Sequence, residues 1–61
     1  MNEKLYTPQE LADWRGTTVA ALAQERYKGT GPRFIKLGKT VRYSETHVKE
    51  WLDANTHQRT A

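Results

Sequence analysis

The residues of this chain best suited to a chemical role are basic, and they are concentrated in one segment. From Arg26 to Arg42 there are six Lys or Arg residues and no Asp or Glu. The other residues hold four bases and seven acids, a net charge of −3, although the whole chain carries +3. Such a segment either binds an anionic partner or keeps an exposed edge soluble, and charge alone does not separate these two roles.

Other chemistries have little support in the sequence. There is no cysteine, and His47 and His57 are too far apart for an i, i+4 pair of metal ligands, so we expect no metal and no cofactor. The sequence GKT at Gly38–Thr40 resembles the end of a phosphate-binding loop, but that loop needs a glycine where Arg33 stands. With no carboxylate pair and no nucleophile–base pair, we do not expect an enzyme.

The length of 61 residues predicts a single small domain. No apolar run approaches the length of a membrane span, and the opening MNEKLY lacks the features of a signal peptide. Together with the absence of cysteine, this predicts a soluble cytoplasmic protein without a membrane partner.

Two short helices joined by a tight turn are expected in the first half of the chain. Thr7 is a suitable N-cap, and Glu10 three residues later completes a capping box. Gly16 then ends the first helix after about two turns. Thr18 caps the second helix, and Gly29 ends it. This arrangement predicts a helix-turn-helix unit.

A β-hairpin and a third helix are expected in the second half. The alternation over residues 33–43 predicts a hairpin with its tip at Gly38–Thr40, Lys36 and Arg42 on the polar face, and the apolar residues on the other face. Ser44 caps the third helix, and residues 55–61 are expected to form a flexible tail. The predicted core residues are Leu11, Trp14, Val19, Leu22, Ile35, Leu37, Val41, Tyr43, Val48, Trp51 and Leu52.

The order helix, turn, helix, basic hairpin, helix resembles a known family. Residues 5–54 resemble the small excisionase-like winged helix-turn-helix proteins, which are related to the MerR DNA-binding domain and are encoded by phages and mobile elements. The segments that carry the resemblance are TPQELA in the first helix, GTGPRFIKLGKTVRY in the hairpin, or wing, and VKEWL in the last helix. The resemblance implies an α+β fold with the order α-α-β-β-α and a location at the nucleoid of a bacterial cytoplasm.

The resemblance also implies a function. In this family the second helix enters the major groove of double-stranded DNA, and the wing approaches the adjacent minor groove. An excisionase bends DNA near an attachment site and so favours excision by a tyrosine or serine integrase, often as several copies in tandem. Carried over, the major-groove residues are Thr18, Ala20, Ala21, Gln24, Tyr27 and Lys28. The wing residues are Arg33, Lys36, Lys39, Thr40 and Arg42.

The chemistry of these residues agrees with that assignment. A glutamine such as Gln24 can bond the edge of adenine through two hydrogen bonds, and Ala20 or Ala21 can contact a thymine methyl group. Lys39 and Arg42 suit phosphates or a narrow minor groove. Tyr27 has three possible roles: it could stack, hydrogen-bond a phosphate or cover the core.

Two alternatives to an excisionase stay open at this point. One is a small transcriptional regulator of a phage or integrated element, and the other is a protein-interaction module with a basic wing. The sequence also departs from the family at Glu25, where relatives carry a bulky apolar residue in the second helix. We expect either Trp14 to fill the resulting gap or Glu25 to pair with a nearby base.

Overall fold

The computed structural model describes residues 3–56, which form three helices and a small antiparallel sheet. The elements are β1 (Leu5–Tyr6), α1 (Pro8–Arg15), α2 (Val19–Lys28), β2 (Ile35–Leu37), β3 (Thr40–Ser44) and α3 (Glu45–Ala54). The strand order is β1-β3-β2. This confirms the predicted α+β winged helix-turn-helix fold and adds one short strand, β1, to the expected order. None of the helices in the described residues is long and apolar enough to cross a membrane.

The predicted helix ends are confirmed. The backbone N–H of Glu10 donates to Thr7 Oγ1 at 3.0 Å, and the backbone N–H of Thr7 donates to Glu10 Oε1 at 2.9 Å, which completes the capping box. Thr18 Oγ1 accepts from the backbone N–H of Ala21, and Ser44 Oγ accepts from that of His47. These bonds satisfy amides that the first helical turn leaves unpaired, which is why each helix begins where it does.

The register of the hairpin differs from the prediction. Its strands pair Lys36 with Val41 and Leu37 with Thr40, so the loop has two residues, Gly38 and Lys39, rather than three. Gly38 has φ 63°, and Lys39 is not among the residues with positive φ, which is the φ pattern of a type II′ turn with glycine first. Paired residues share a face of the sheet, so the shorter loop changes which side chains lie together.

This register corrects the predicted faces of the wing. Because Ile35 pairs with Arg42, Arg42 lies on the same face as Ile35 and Leu37. Lys36 instead shares its face with Val41 and the core residue Tyr43. The prediction that Lys36 and Arg42 lie on one common basic face is therefore wrong. Leu37, expected in the core, is 62% exposed.

The core is small and lies where the sheet meets the helices. Its buried side chains are Leu11, Ala12, Leu22, Tyr43 and Val48, with Tyr6, Val41 and Leu52 packed against them. Six of the eleven predicted core residues are thus confirmed. Ile35 and Trp51 are half-buried outside this cluster, and Val19 and Trp14 are 39% and 63% exposed. In α1 the residues turned inward are Pro8, Leu11, Ala12 and Arg15, which follow helical spacing and leave Trp14 outside the stripe.

The exposure of Trp14 gives a stability prediction. We expect Trp14→Ser to change the free energy of unfolding by less than about 0.5 kcal/mol, because surface substitutions away from packed groups have small effects. Leu11→Ala, on the same helix but fully buried, should cost about 2–5 kcal/mol. Thermal unfolding followed by circular dichroism checks both. A large loss of stability in Trp14→Ser would contradict the position of this side chain.

The predicted flexible tail lies mostly outside the described residues, as does His57. Within the described part, Asn55 Nδ2 donates to the carbonyl of Trp51 at 2.8 Å, and Thr56 Oγ1 donates to that of Leu52 at 2.7 Å. These bonds satisfy carbonyls of the last turn of α3.

Candidate nucleic-acid interface

One face of α2 is entirely exposed. Ala20, Ala23, Gln24, Tyr27 and Lys28 all belong to it and follow the i, i+3, i+4, i+7, i+8 spacing of one helical stripe. Tyr27 is 90% exposed, so it does not cover the core, one of the three roles considered for it. The helix therefore presents small side chains at its start and polar ones toward its end.

Two other predicted α2 residues flank this face. Thr18 is exposed, and its hydroxyl oxygen is engaged in capping the helix. Ala21 is half-buried and lies to the side of the stripe. Ala23 lies within the stripe but was missing from the predicted contacts, although its spacing of three from Ala20 could have identified it.

A groove of about 530 Å³ separates the end of α2 from the wing. Tyr27 lines it on the helix side, and Lys36 and Lys39 line it on the hairpin side. Arg26 and Phe34 also contribute to the lining, together with Gly38 and Val41. Among residues 3–56, three cations and no carboxylate thus line this open groove, which favours an anion at its mouth.

Three predicted wing residues lie away from this groove. Arg33 lines a smaller groove of about 230 Å³ beside α3, next to Glu50 and Trp51. Arg42 is half-buried, and its Nη1 donates to the carbonyl of Val41 at 2.8 Å. Thr40 is exposed on the same face as Leu37, its partner in the hairpin. The structure therefore brings together Tyr27, Lys36 and Lys39, but not Arg33, Thr40 and Arg42.

The expectation that Glu25 pairs with a basic residue is confirmed. Both carboxylate oxygens accept from the guanidinium of Arg15, at 2.9 and 3.0 Å, a bidentate geometry that is among the stronger ion pairs. Hydrogen bonding to Glu25 raises the pKa of Arg15. Trp14 does not fill the gap, since it is exposed. The ion pair joins α1 to α2 in place of an apolar contact.

The same ion pair reaches α3. The guanidinium of Arg15 stands 4.4 Å from the centre of the Trp51 ring, a cation–π contact. Trp51 Nε1 in turn donates to the carbonyl of Thr30 at 3.0 Å, and the Thr30 N–H donates to the carbonyl of Glu25 at 3.0 Å. Glu25, Arg15, Thr30 and Trp51 thus form one connected set of contacts, named here the Arg15 cluster, which holds α2 against both other helices.

A second contact joins α2 to the wing. Arg26 Nη1 donates to Tyr43 Oη at 2.7 Å, and its guanidinium carbon lies 5.7 Å from the centre of the Phe34 ring. Phe34 and Tyr43 are themselves neighbours, with ring centres 6.4 Å apart. Arg26 is not among the residues predicted from the sequence to form the interface or the core. Its polar partner could not be found from spacing, because Tyr43 is distant in the chain.

Two exposed carboxylates accept backbone hydrogen bonds: Glu3 accepts from Thr46 at the start of α3, and Glu10 accepts from Thr7 in the α1 cap. Hydrogen bonds from Thr46 lower the pKa of Glu3, and the backbone N–H of Thr7 lowers that of Glu10. A lowered pKa means that the ionised form favours the folded state, so this contribution is present at neutral pH. It is lost as the pH falls through the lowered value.

Among residues 3–56, no three His, Cys, Asp or Glu side chains lie close enough together to hold a metal ion. Comparison with protein-family models, with curated proteins and with solved structures found no match to this chain.

Proposed function

We propose that this protein binds double-stranded DNA and acts as an excisionase-like accessory factor. The exposed face of α2 enters the major groove, and the wing approaches the neighbouring minor groove. An integrase carries out the recombination, while this protein bends the DNA near an attachment site and favours excision.

The observation that carries the proposal is the groove between α2 and the wing. Tyr27 of the helix and Lys36 and Lys39 of the hairpin line one opening, and no acidic residue in the described part of the chain lines it. A duplex backbone presents regularly spaced phosphates, and the hairpin lysines at this opening can neutralise them while the helix face contacts bases. Under this proposal, α2 contacts bases on one side of the groove and the hairpin contacts phosphates on the other.

Gln24 tests the base-contacting role. We expect Gln24→Ala to lower preference for the selected site by about tenfold or more, because a bidentate contact to a base contributes about 1–3 kcal/mol of discrimination. Binding to random duplex at low salt should change little. Selection from random duplexes, followed by titration of the selected and random DNA, measures both quantities.

A matched control for Gln24→Ala is Gln9→Ala. Gln9 is exposed on α1, outside the exposed face of α2, and its Nε2 donates to Asp13 Oδ1, so its loss should leave site preference unchanged. If Gln24→Ala selects the same sequence with the same preference as the wild type, Gln24 does not contact a base edge.

The excisionase role is tested by measuring whether the protein bends DNA and where on the DNA it binds. One small module with few phosphate contacts binds weakly at physiological salt, so several adjacent copies or contact with an integrase would raise the affinity. Circularly permuted duplexes should migrate as bent DNA when several copies are bound. Footprinting should place tandem sites beside an attachment site. Straight DNA with a single site over a promoter would favour a transcriptional regulator instead.

A further inference from the structure

The connection between α2 and the wing is made by very few groups. Among the described residues, the bond from Arg26 Nη1 to Tyr43 Oη, 2.7 Å long, is the one side-chain hydrogen bond between α2 and a strand of the hairpin. The Arg15 cluster holds α2 against α1 and α3, not against the hairpin. Other contacts between α2 and the hairpin include the approaches of Arg26 to the rings of Phe34 and Tyr43, which are less directional than a hydrogen bond.

The geometry of this bond is well defined at both ends. The Tyr43 ring is 1% exposed and belongs to the core, so its hydroxyl has a fixed position. The guanidinium of Arg26 lies beside two neighbouring rings, 5.7 Å from the centre of Phe34 and 6.0 Å from that of Tyr43. A planar guanidinium that donates to a hydroxyl and also approaches a ring is more restricted than a lysine ammonium would be.

Arg26 also lines the groove between α2 and the wing. It precedes Tyr27 in the chain, and Lys36 lies across the groove from them. We propose that Arg26 is a positioning residue: through its bond to Tyr43 it fixes the distance between the α2 face and the wing, and thereby sets discrimination between DNA sites rather than overall affinity for DNA. This inference rests on the proposed function.

Affinity for random DNA and preference for one site depend on different physical requirements. Binding to random DNA comes mainly from neutralised phosphates and tolerates movement between the two elements. Binding to a preferred site needs the helix in register with base edges while the wing contacts the backbone, which requires elements held to a fraction of an ångström. Loss of the Arg26–Tyr43 bond should therefore weaken binding to the preferred site and leave binding to random DNA unchanged.

Tyr43→Phe is the test, because it removes the hydroxyl and keeps the ring and the charge of Arg26. We expect the ratio of affinities for the selected site over random duplex to fall about tenfold, since a hydrogen bond to a charged group has that order of effect. Affinity for random DNA and its salt dependence should remain as in the wild type. Arg26→Gln should reduce the ratio equally, and combining it with Tyr43→Phe should reduce the ratio no further.

Arg15→Lys is the matched control. It weakens another hydrogen-bonded and stacked arginine, in the Arg15 cluster, so it should lower the unfolding temperature without changing the ratio. Titrations are made where circular dichroism shows every variant folded. If the wild type discriminates between sites and Tyr43→Phe discriminates equally well, the positioning role is wrong while DNA binding stands. If the wild type does not bind duplex DNA at low salt, both proposals fail.

Discussion

Removing Lys36 and Lys39 together should lower the affinity for duplex DNA by about 100-fold at roughly 50 mM salt. Both side chains are exposed and line the groove on its hairpin side. Each cation that neutralises a phosphate releases about one counterion, so the double alanine variant should also reduce the slope of log affinity against log salt by about 2. Titration at several salt concentrations measures both effects, and the loss should be similar for all sequences.

The control for this variant removes the same charge elsewhere. Lys4 and Lys49 are exposed, and neither lines the groove, so Lys4→Ala with Lys49→Ala lowers the net charge equally. We expect that control to retain most of the affinity and nearly all of the salt slope. Equal losses of affinity in the two double variants would mean that net charge, rather than the groove, attracts DNA. The wing would then not be part of the interface.

Gly31→Ala should destabilise the fold by about 2 kcal/mol. A Cβ at this position would lie 2.5 Å from Glu25 Oε1 and 2.9 Å from Glu25 Cβ. The carboxylate can turn away only by giving up its bonds to Arg15, and the Cβ belongs to a helix and cannot turn. The stability of a domain this small is a few kcal/mol in total. Thermal unfolding should therefore show a midpoint lower by about 10 °C.

The cause of that loss can be separated in a double-mutant cycle. In a Glu25→Ala background the Oε1 contact is gone, so Gly31→Ala should cost about 1 kcal/mol less than in the wild type. If the cost of Gly31→Ala is the same in both backgrounds, the close approach to the Glu25 carboxylate is not what requires glycine here. The cycle thus tests the packing of the loop after α2 directly.

The turn length of the hairpin, and with it the faces of its strands, could not be predicted from the sequence. Alternation correctly placed two strands and a glycine-containing turn, but it did not specify the turn length. A three-residue tip would put Ile35 and Leu37 on the face of Val41 and Tyr43, whereas the observed two-residue turn pairs Ile35 with Arg42. Because side chains alternate with a period of two, one residue in the turn reverses the faces of a whole strand. As a result, Lys36 lines the groove of the candidate interface and Arg42 does not.

Contacts between residues far apart in the chain could not be predicted from the sequence either. The bond of Arg26 to Tyr43 and the pairing of β1 with β3 join residues far apart in the chain. For Glu25 the sequence left two possibilities open, and the fold selected Arg15. Each of these depends on how whole elements pack, which local spacing does not contain.

The sequence alone determined the helix ends and the concentration of positive charge from the last turn of α2 to the wing. Caps at Thr7, Thr18 and Ser44 involve amides only three residues away, and charge is a property of composition, so neither requires knowledge of the fold. Only the tertiary structure decided that α1 turns Arg15 inward and Trp14 outward, and that Lys36 rather than Arg42 faces the groove. Those outcomes depend on contacts between elements, whose energies compete across the whole molecule.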